Sequence, residues 1–319
     1  MNNILYNFLS AYWLRPETAL WRTLDVESMK NFQFVSPSLD LGCGDGTFSF
    51  LRAGGEFDKT FDVFMSVNHL DKFYKNIDVY DSFNDLEVKI IKKPSYKMEV
   101  GVDHKQNLMN KAKKIGLYNE FVLTDANNKL PFDNESFQSI FSNIVYWLNN
   151  PENVLKEIYR ILKHGGKCCL MLPNITYLES SFYYQLFEKE KKEEFKFLEF
   201  IDRGRIKENL KVVKTYQEWK KIIEEAGFEI EECVPHLSKT LIQIWDIGLR
   251  PIFPMLKRMT ERIDTESLME IKKDWIDLFL ELGQPIIDND VLLTQGREFC
   301  FFCFVITKSF LYTLKSKRN

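Results

Sequence analysis

An α/β fold, with a mostly parallel sheet and helices on both of its faces, is predicted by three observations in the 319-residue sequence. An apolar run ends in Asp40. It is followed by glycines at alternate positions, Gly42, Gly44 and Gly46, and then by a segment able to start a helix, Thr47 to Arg52. A second strand-like segment, residues 97–103, again ends in an acid, Asp103. Beyond it, short apolar runs alternate with segments whose apolar residues recur at helical spacing, the pattern of repeated strand–helix units.

Each element has a local reason. Glycines after the first strand let the backbone turn tightly and let a ligand lie against main chain with no Cβ in the way. The dinucleotide fingerprint is G-x-G-x-x-G. Here the third glycine comes one residue early, which counts against a nicotinamide oxidoreductase. An acid at the carboxyl end of the second strand can accept both hydroxyls of a ribose. Residues 106–115 read as a helix, and 121–123 as a third, short strand followed by Thr124, Asp125 and Ala126. Leu130-Pro131-Phe132 and Glu135-Ser136-Phe137 lead into a fourth strand at 139–143. Pro151 opens a helix whose inner face is Val154, Leu155, Ile158, Ile161 and Leu162. Lys163 and His164 suit its negative end, with Gly165 and Gly166 as a cap before a strand at 167–172. Trp219, Ile222, Ile223 and Ala226 form a further helical stripe, stopped by Gly227. Strands are predicted at 228–234 and 299–306.

The glycine pattern resembles motif I of the class I S-adenosylmethionine-dependent methyltransferases. Residues 123–173 look like the methyltransferase type 11 family, whose members share an Asp-Ala after strand three, a Leu-Pro-Phe, a Ser-Phe-Asp and a Leu-Lys-Pro-Gly-Gly before strand five. The resemblance covers 38–51 and 98–173 and resumes at 216–234. Gln138 stands where the family usually has Asp and His164 where it usually has Pro; neither lies where the cofactor would be held. The resemblance implies a Rossmann-like, seven-stranded sheet elaborated by helical insertions, in one domain over 1–319. Its core would be 34–52, 98–173, 213–236 and 297–308. A helical segment at 1–33 and insertions at 53–97, 174–212 and 237–296 would form a substrate lid. It also implies S-adenosyl-L-methionine as cofactor. Asp40, Gly42, Gly44 and Gly46, with Cys43 among them, would line its methionyl and ribose side. Asp103 would bind the ribose hydroxyls, and His104 would stack near the adenosine. Asp125 would accept from the adenine amino group and the Ala126 amide would meet the ring. Asn143 and Ile144 would close the site behind the sulfonium.

The chemistry implied is in-line methyl transfer, in which the protein mainly supplies proximity and alignment. A general base is needed only where the acceptor must lose a proton. His69, inside the 53–97 insertion, His104, after Asp103, and Tyr146, after the fourth strand, are the candidates, with His69 the first choice. The aromatic density of that insertion (Phe57, Phe61, Phe64, Phe73, Tyr74, Tyr80, Phe83, Tyr96) suggests a lid over the acceptor, or else a satellite cluster packing the insertion onto the core. The acceptor is expected to be a sugar, a glycan-lipid or another small metabolite. A protein or RNA methyltransferase and a non-catalytic binder of the same fold are the alternatives.

Composition narrows the class. Forty-three Lys and Arg against 46 Asp and Glu lack the basic excess of a general nucleic-acid binder. Ser142-Asn143-Ile144-Val145-Tyr146 stands where base-amine methyltransferases carry an Asn-Pro-Pro-Tyr-type motif. The six cysteines mostly fall in predicted strands and read as buried, reduced thiols. Cys300 and Cys303 form a C-x-x-C, but on a strand positions i and i+3 face opposite ways, so no metal site is expected. No secretory signal and no membrane span are apparent, so a cytoplasmic location is expected. The basic end of the chain, with Lys308, Lys315, Lys317 and Arg318, reads as a frayed, solvated tail or, alternatively, as a weak contact with an anionic membrane surface.

Overall fold

The computed structural model describes residues 2–64, 88–202, 206, 212–249, 252–292 and 299–309. The sheet comprises β1 (Ser38–Leu41), β4 (Met98–Asp103), β5 (Tyr118–Leu123), β6 (Phe137–Ser142), β7 (Leu162–Pro173), β8 (Glu229–Ser238) and β9 (Phe299–Thr307). β2 (Glu56–Phe57) and β3 (Ile90–Lys92) make a separate two-stranded ribbon. The seven strands run in the order β5-β4-β1-β6-β7-β9-β8. Five are parallel, and β9 pairs antiparallel with both β7 and β8. The chain winds outward from β1 in one direction through β4 and β5, and in the other through β6 and β7. The switch point between β1 and β6 is where a ligand crevice opens at the carboxyl ends of the strands. The loops after β1, β4, β5 and β6 all emerge at that edge.

The helices are α1 (Asn2–Ala11), α2 (Pro16–Ser28), α3 (Thr47–Arg52), α4 (Gln106–Ala112), α5 (Pro151–Ile161), α6 (Thr176–Ser180), α7 (Phe197–Asp202), α8 (Tyr216–Glu225), α9 (Lys239–Ile247), α10 (Phe253–Thr260) and α11 (Thr265–Leu292). α5 starts where Asn150 accepts from the Asn153 amide, with Pro151 in the first turn, and it buries Val154, Leu155, Ile158 and Ile161. α8 begins with a capping box between Thr215 and Glu218. β9 is buried on both faces down to its last residue, because it lies between two strands of a sheet covered on both sides. Cys303 on one face comes within 3.5 Å of Cys169. Cys300, on the other, comes within 3.3 Å of Ser180. The C-x-x-C is thus split across the sheet.

Two expectations change, and one alternative left open by the sequence is narrowed. β5 begins at Tyr118, three residues earlier than expected. α5 stops at Ile161 and β7 begins at Leu162, so Lys163, His164, Gly165 and Gly166 belong to the strand and do not cap the helix. The reason is tertiary: Lys308 accepts the Gly165 amide at 2.8 Å and donates its ammonium to the Leu162 carbonyl at 2.9 Å. The 53–97 insertion divides: its first part enters the core, while the described residues 88–97 are exposed or half-buried. Phe57, Phe61 and Phe64 are buried, with the Phe57 and Phe61 rings stacked at 3.9 Å. Phe73, Tyr74, Tyr80 and Phe83 lie outside the described residues.

Arg160 ties the 130–134 loop to α5. Its guanidinium donates to the carbonyls of Phe132 (2.7 Å) and Leu130 (3.0 Å) and forks onto Glu157. Glu157 in turn accepts the Leu130 amide at 3.0 Å. Arg160→Ala should cost about 2 kcal/mol, the range for hydrogen bonds to a charged group. The check is a lower denaturant midpoint at unchanged slope. Arg160→Lys should restore little of it, since an ammonium cannot reproduce the fork.

Candidate cofactor site

The glycine loop needs left-handed backbone at three places. Gly42, Gly44 and Gly46 have φ of 88°, 56° and 74°, a region that side chains rarely adopt. A Cβ at Gly42 would lie 2.5 Å from Ile144, and one at Gly46 would lie 2.5 Å from Ile115. These two glycines allow close packing of the loop against its neighbours. At Gly44 the same Cβ would meet nothing within 4 Å. Gly44 therefore bounds open space, a cradle in which backbone can face a ligand.

The loop is held from β4. Gly42 and Cys43 both donate to the Val102 carbonyl, at 2.8 and 2.9 Å. The Asp103 carboxylate accepts the Gly44 amide on one oxygen (2.9 Å) and the Lys105 amide on the other (2.8 Å). Each oxygen keeps a second acceptor direction, enough for a pair of ribose hydroxyls. His104 is exposed, with Nδ1 3.6 Å from Asp103. Asp125 is exposed at the end of β5, where one oxygen accepts the amide and the side chain of Asn127. Ala126 is buried. Asn143 and Ile144 are half-buried after β6, with Ile144 against Gly42. Loop, Asp103 and Ile144 are thus in one place, and His104, Asp125 and Ala126 line the same edge of the sheet.

Three residues sit differently from expectation. Asp40 does not face the crevice. It is 2% exposed and accepts from Ser49 and from Tyr118, each at 2.6 Å. It supports the loop from beneath, joining β1, α3 and β5. Cys43 turns its thiol back onto Gly101, whose Cβ would lie 3.1 Å from the sulfur; burial raises its pKa far above the usual thiol range. Tyr146 is buried and packs edge-on to Phe301 at 5.8 Å. His69 lies outside the described residues.

The sequence reading missed the supports. Tyr118 escaped it because the strand was read as starting later. Lys111 escaped it because a lysine on a helix signals nothing until its partner is placed. It reaches Asp45 at 3.0 Å and the Val63 carbonyl at 3.3 Å. Burial disfavours the Asp45 charge, yet Lys111 and the Thr47 amide hold its pKa below the usual carboxylate value. His236 of β8 is buried and shares a 3.1 Å contact with Asp25 of α2.

Residues 86–170 match the family described as a methyltransferase domain. Over 93 residues the chain is 33% identical to the ubiquinone/menaquinone biosynthesis C-methyltransferase of Desulfotalea psychrophila. The likeness to a methyltransferase domain is therefore confined to this part of the chain. The matched stretch is 27% of the chain and 37% of the curated relative, so the chain spans little more than a third of that protein's length. Among solved structures, it is similar to an S-adenosylmethionine-dependent methyltransferase of Thermotoga maritima (17% identity, 73% of this chain, 85% of that one, TM-score 0.42). It is also similar to the [4+2]-cyclase SpnF (12% identity, 94% and 84%, TM-score 0.46).

Burial pushes the Asp40 carboxyl up from 3.8 to about 6, against the pull of its two hydroxyl donors. An acid with a raised folded pKa favours the fold most when protonated. Its contribution is complete below about pH 4 and is lost as pH rises through about 6, a change of about 3 kcal/mol. Asp40→Asn should remove that dependence. The difference in unfolding free energy between variant and wild type, measured from pH 4 to 7, should move in the variant's favour as pH rises.

Proposed function

We propose that the chain is an S-adenosylmethionine-dependent methyltransferase acting on a small-molecule acceptor. The observation that carries this reading is the 2.9 Å hydrogen bond from the Gly44 amide to Asp103 beside the open space at Gly44. It sets a side-chain-free backbone cradle next to a carboxylate with acceptor capacity to spare, the pair of features that a ribose and a methionyl chain require. The cofactor, when bound, supplies an already activated methyl group. In this reading Asp103 accepts the ribose hydroxyls, the Gly42–Gly46 loop lies along the methionyl side, and Ile144 packs behind the loop. Asp125 and the Ala126 amide meet the adenine. The chain's own work is orientation and exclusion of water, which can account for about 7–11 kcal/mol of a barrier. His69 remains the proposed proton acceptor for acceptors that must be deprotonated. Tyr146, being buried, fits a wall better than a base. The balance of charge supports a small acceptor over nucleic acid. Among the described residues no helix is long and apolar enough to cross a membrane.

S-adenosylhomocysteine should bind and raise the melting temperature, and NADH should do neither. Asp103→Ala should weaken S-adenosylhomocysteine by about 1.5–3 kcal/mol. Gly44→Val, which fills the cradle, should abolish binding while the chain stays folded. Calorimetry on the three proteins decides: NADH binding in place of S-adenosylhomocysteine, or normal binding by Gly44→Val, would overturn the reading.

A further inference from the structure

A cleft separate from the glycine loop lies between the turn that joins α1 to α2, residues 60–64, and the pair α10 and α11. Its free space is about 80 Å³ and it opens to solvent on one side. The apolar walls are Trp13, Phe64, Leu268 and Met269. Phe64 is fixed by Arg15 over its face (4.7 Å) and by Phe253 (5.0 Å).

The polar lining is selective. Two acids, Asp62 and Glu261, face two lysines, Lys257 and Lys272, so the lining carries no net charge. Lys257 pairs with Glu261 at 3.0 Å. Lys272 is 3% exposed and donates to the carbonyls of Lys59 and Phe61, both at 2.7 Å. Two of its three N–H groups are thereby used, and one remains as a donor. Burial brings the Lys272 ammonium down to about 8, against the pull of Asp62 and Asp58, so it stays mostly protonated at neutral pH. The two threonines are spent the other way. Thr60 gives its hydroxyl proton to Asp58 (2.7 Å) and Thr260 to the Lys257 carbonyl (2.8 Å). Each offers the cleft acceptor lone pairs only.

We infer that this cleft is a second ligand site, for a small uncharged ring compound bearing a hydroxyl, such as a phenol. The hydroxyl donates to a threonine oxygen and accepts from Lys272, and the ring fills the space between Trp13 and Phe64. A carboxylate has no proton for the threonine oxygens and would share Lys272 with the nearby Asp62 and Asp58 charges, and a ring without a donor leaves the threonines unanswered. Occupancy is felt at the glycine loop. Lys272 holds one side of the 59–64 segment, and the Val63 carbonyl on that segment holds Lys111, which reaches Asp45. Bracing the segment therefore braces the loop, and the coupling is reciprocal.

The test is calorimetry of the full chain at pH 7 with p-cresol, 4-methylanisole (the same shape without a donor) and p-toluate (the same ring as an anion). p-Cresol should bind at least tenfold more tightly than either. Thr260→Val should lose about tenfold and Thr260→Ser should keep binding. Leu268→Trp, which fills the cleft, should abolish it. Saturating p-cresol should shift the S-adenosylhomocysteine dissociation constant at least threefold. Equal binding of p-cresol and 4-methylanisole, or unchanged binding by Leu268→Trp, overturns the site. Binding that leaves S-adenosylhomocysteine affinity unmoved overturns the coupling. Failure of S-adenosylhomocysteine to bind at all would instead fall on the proposed function, with the p-cresol arms standing apart from it.

Discussion

The hydrogen bond from the Gly44 amide to the Asp103 carboxylate is the constraint on which the candidate site depends. It joins the loop after β1 to the end of β4, so that a turn with three left-handed glycines has one position over the sheet. Left-handed backbone is permitted to glycine but not enforced by it. The enforcement comes from Asp103 above, from the Val102 carbonyl that takes two loop amides, and from Ile144 against Gly42. With those contacts in place, the open side of Gly44 lies next to the Asp103 carboxylate.

A second carboxylate does the opposite task. Asp40 is removed from water and closed off by Ser49 and Tyr118. Burying a carboxyl is costly unless it is hydrogen-bonded or protonated, and this one is both satisfied and raised in pKa. Two acids on adjacent strands, 63 positions apart in the chain, thus divide into a buried support below the loop and a carboxylate that takes the Gly44 and Lys105 amides. Environment assigns these roles, because the side chains are identical.

The elements outside the sheet are bound to it by aromatic packing. Trp21 of α2 meets Trp245 of α9 (5.1 Å) and Phe301 of β9 (5.3 Å), and Tyr177 of α6 meets Phe301 at 5.5 Å. Such edge-on contacts bury large areas with few torsions to fix. They draw the N-terminal hairpin over the β7–β9–β8 end of the sheet, where His236 also holds Asp25. The helical additions are therefore part of one core with the sheet.

The sequence by itself determined what depends on neighbours along the chain. The glycine spacing after β1, the Pro151 start and apolar stripe of α5, the capping box of α8, and the acids at the ends of β1 and β4 are all short-range patterns, and a residue's type declares them. The parallel sheet with helices on both faces follows from their alternation. Only the tertiary structure decided which acid supports and which presents, that Lys163–Gly166 extend a strand, and that the first aromatics of the 53–97 insertion are core. The pairing of Lys111 with Asp45 and of Lys272 with the 59–61 carbonyls belongs with these. Each of these depends on a partner distant in sequence, such as Lys308 for Gly165 and Leu162, or Lys272 for Lys59. Periodicity and propensity carry information about a residue's own few neighbours. They carry none about which distant group will answer its charge or its hydrogen bond once the chain has closed.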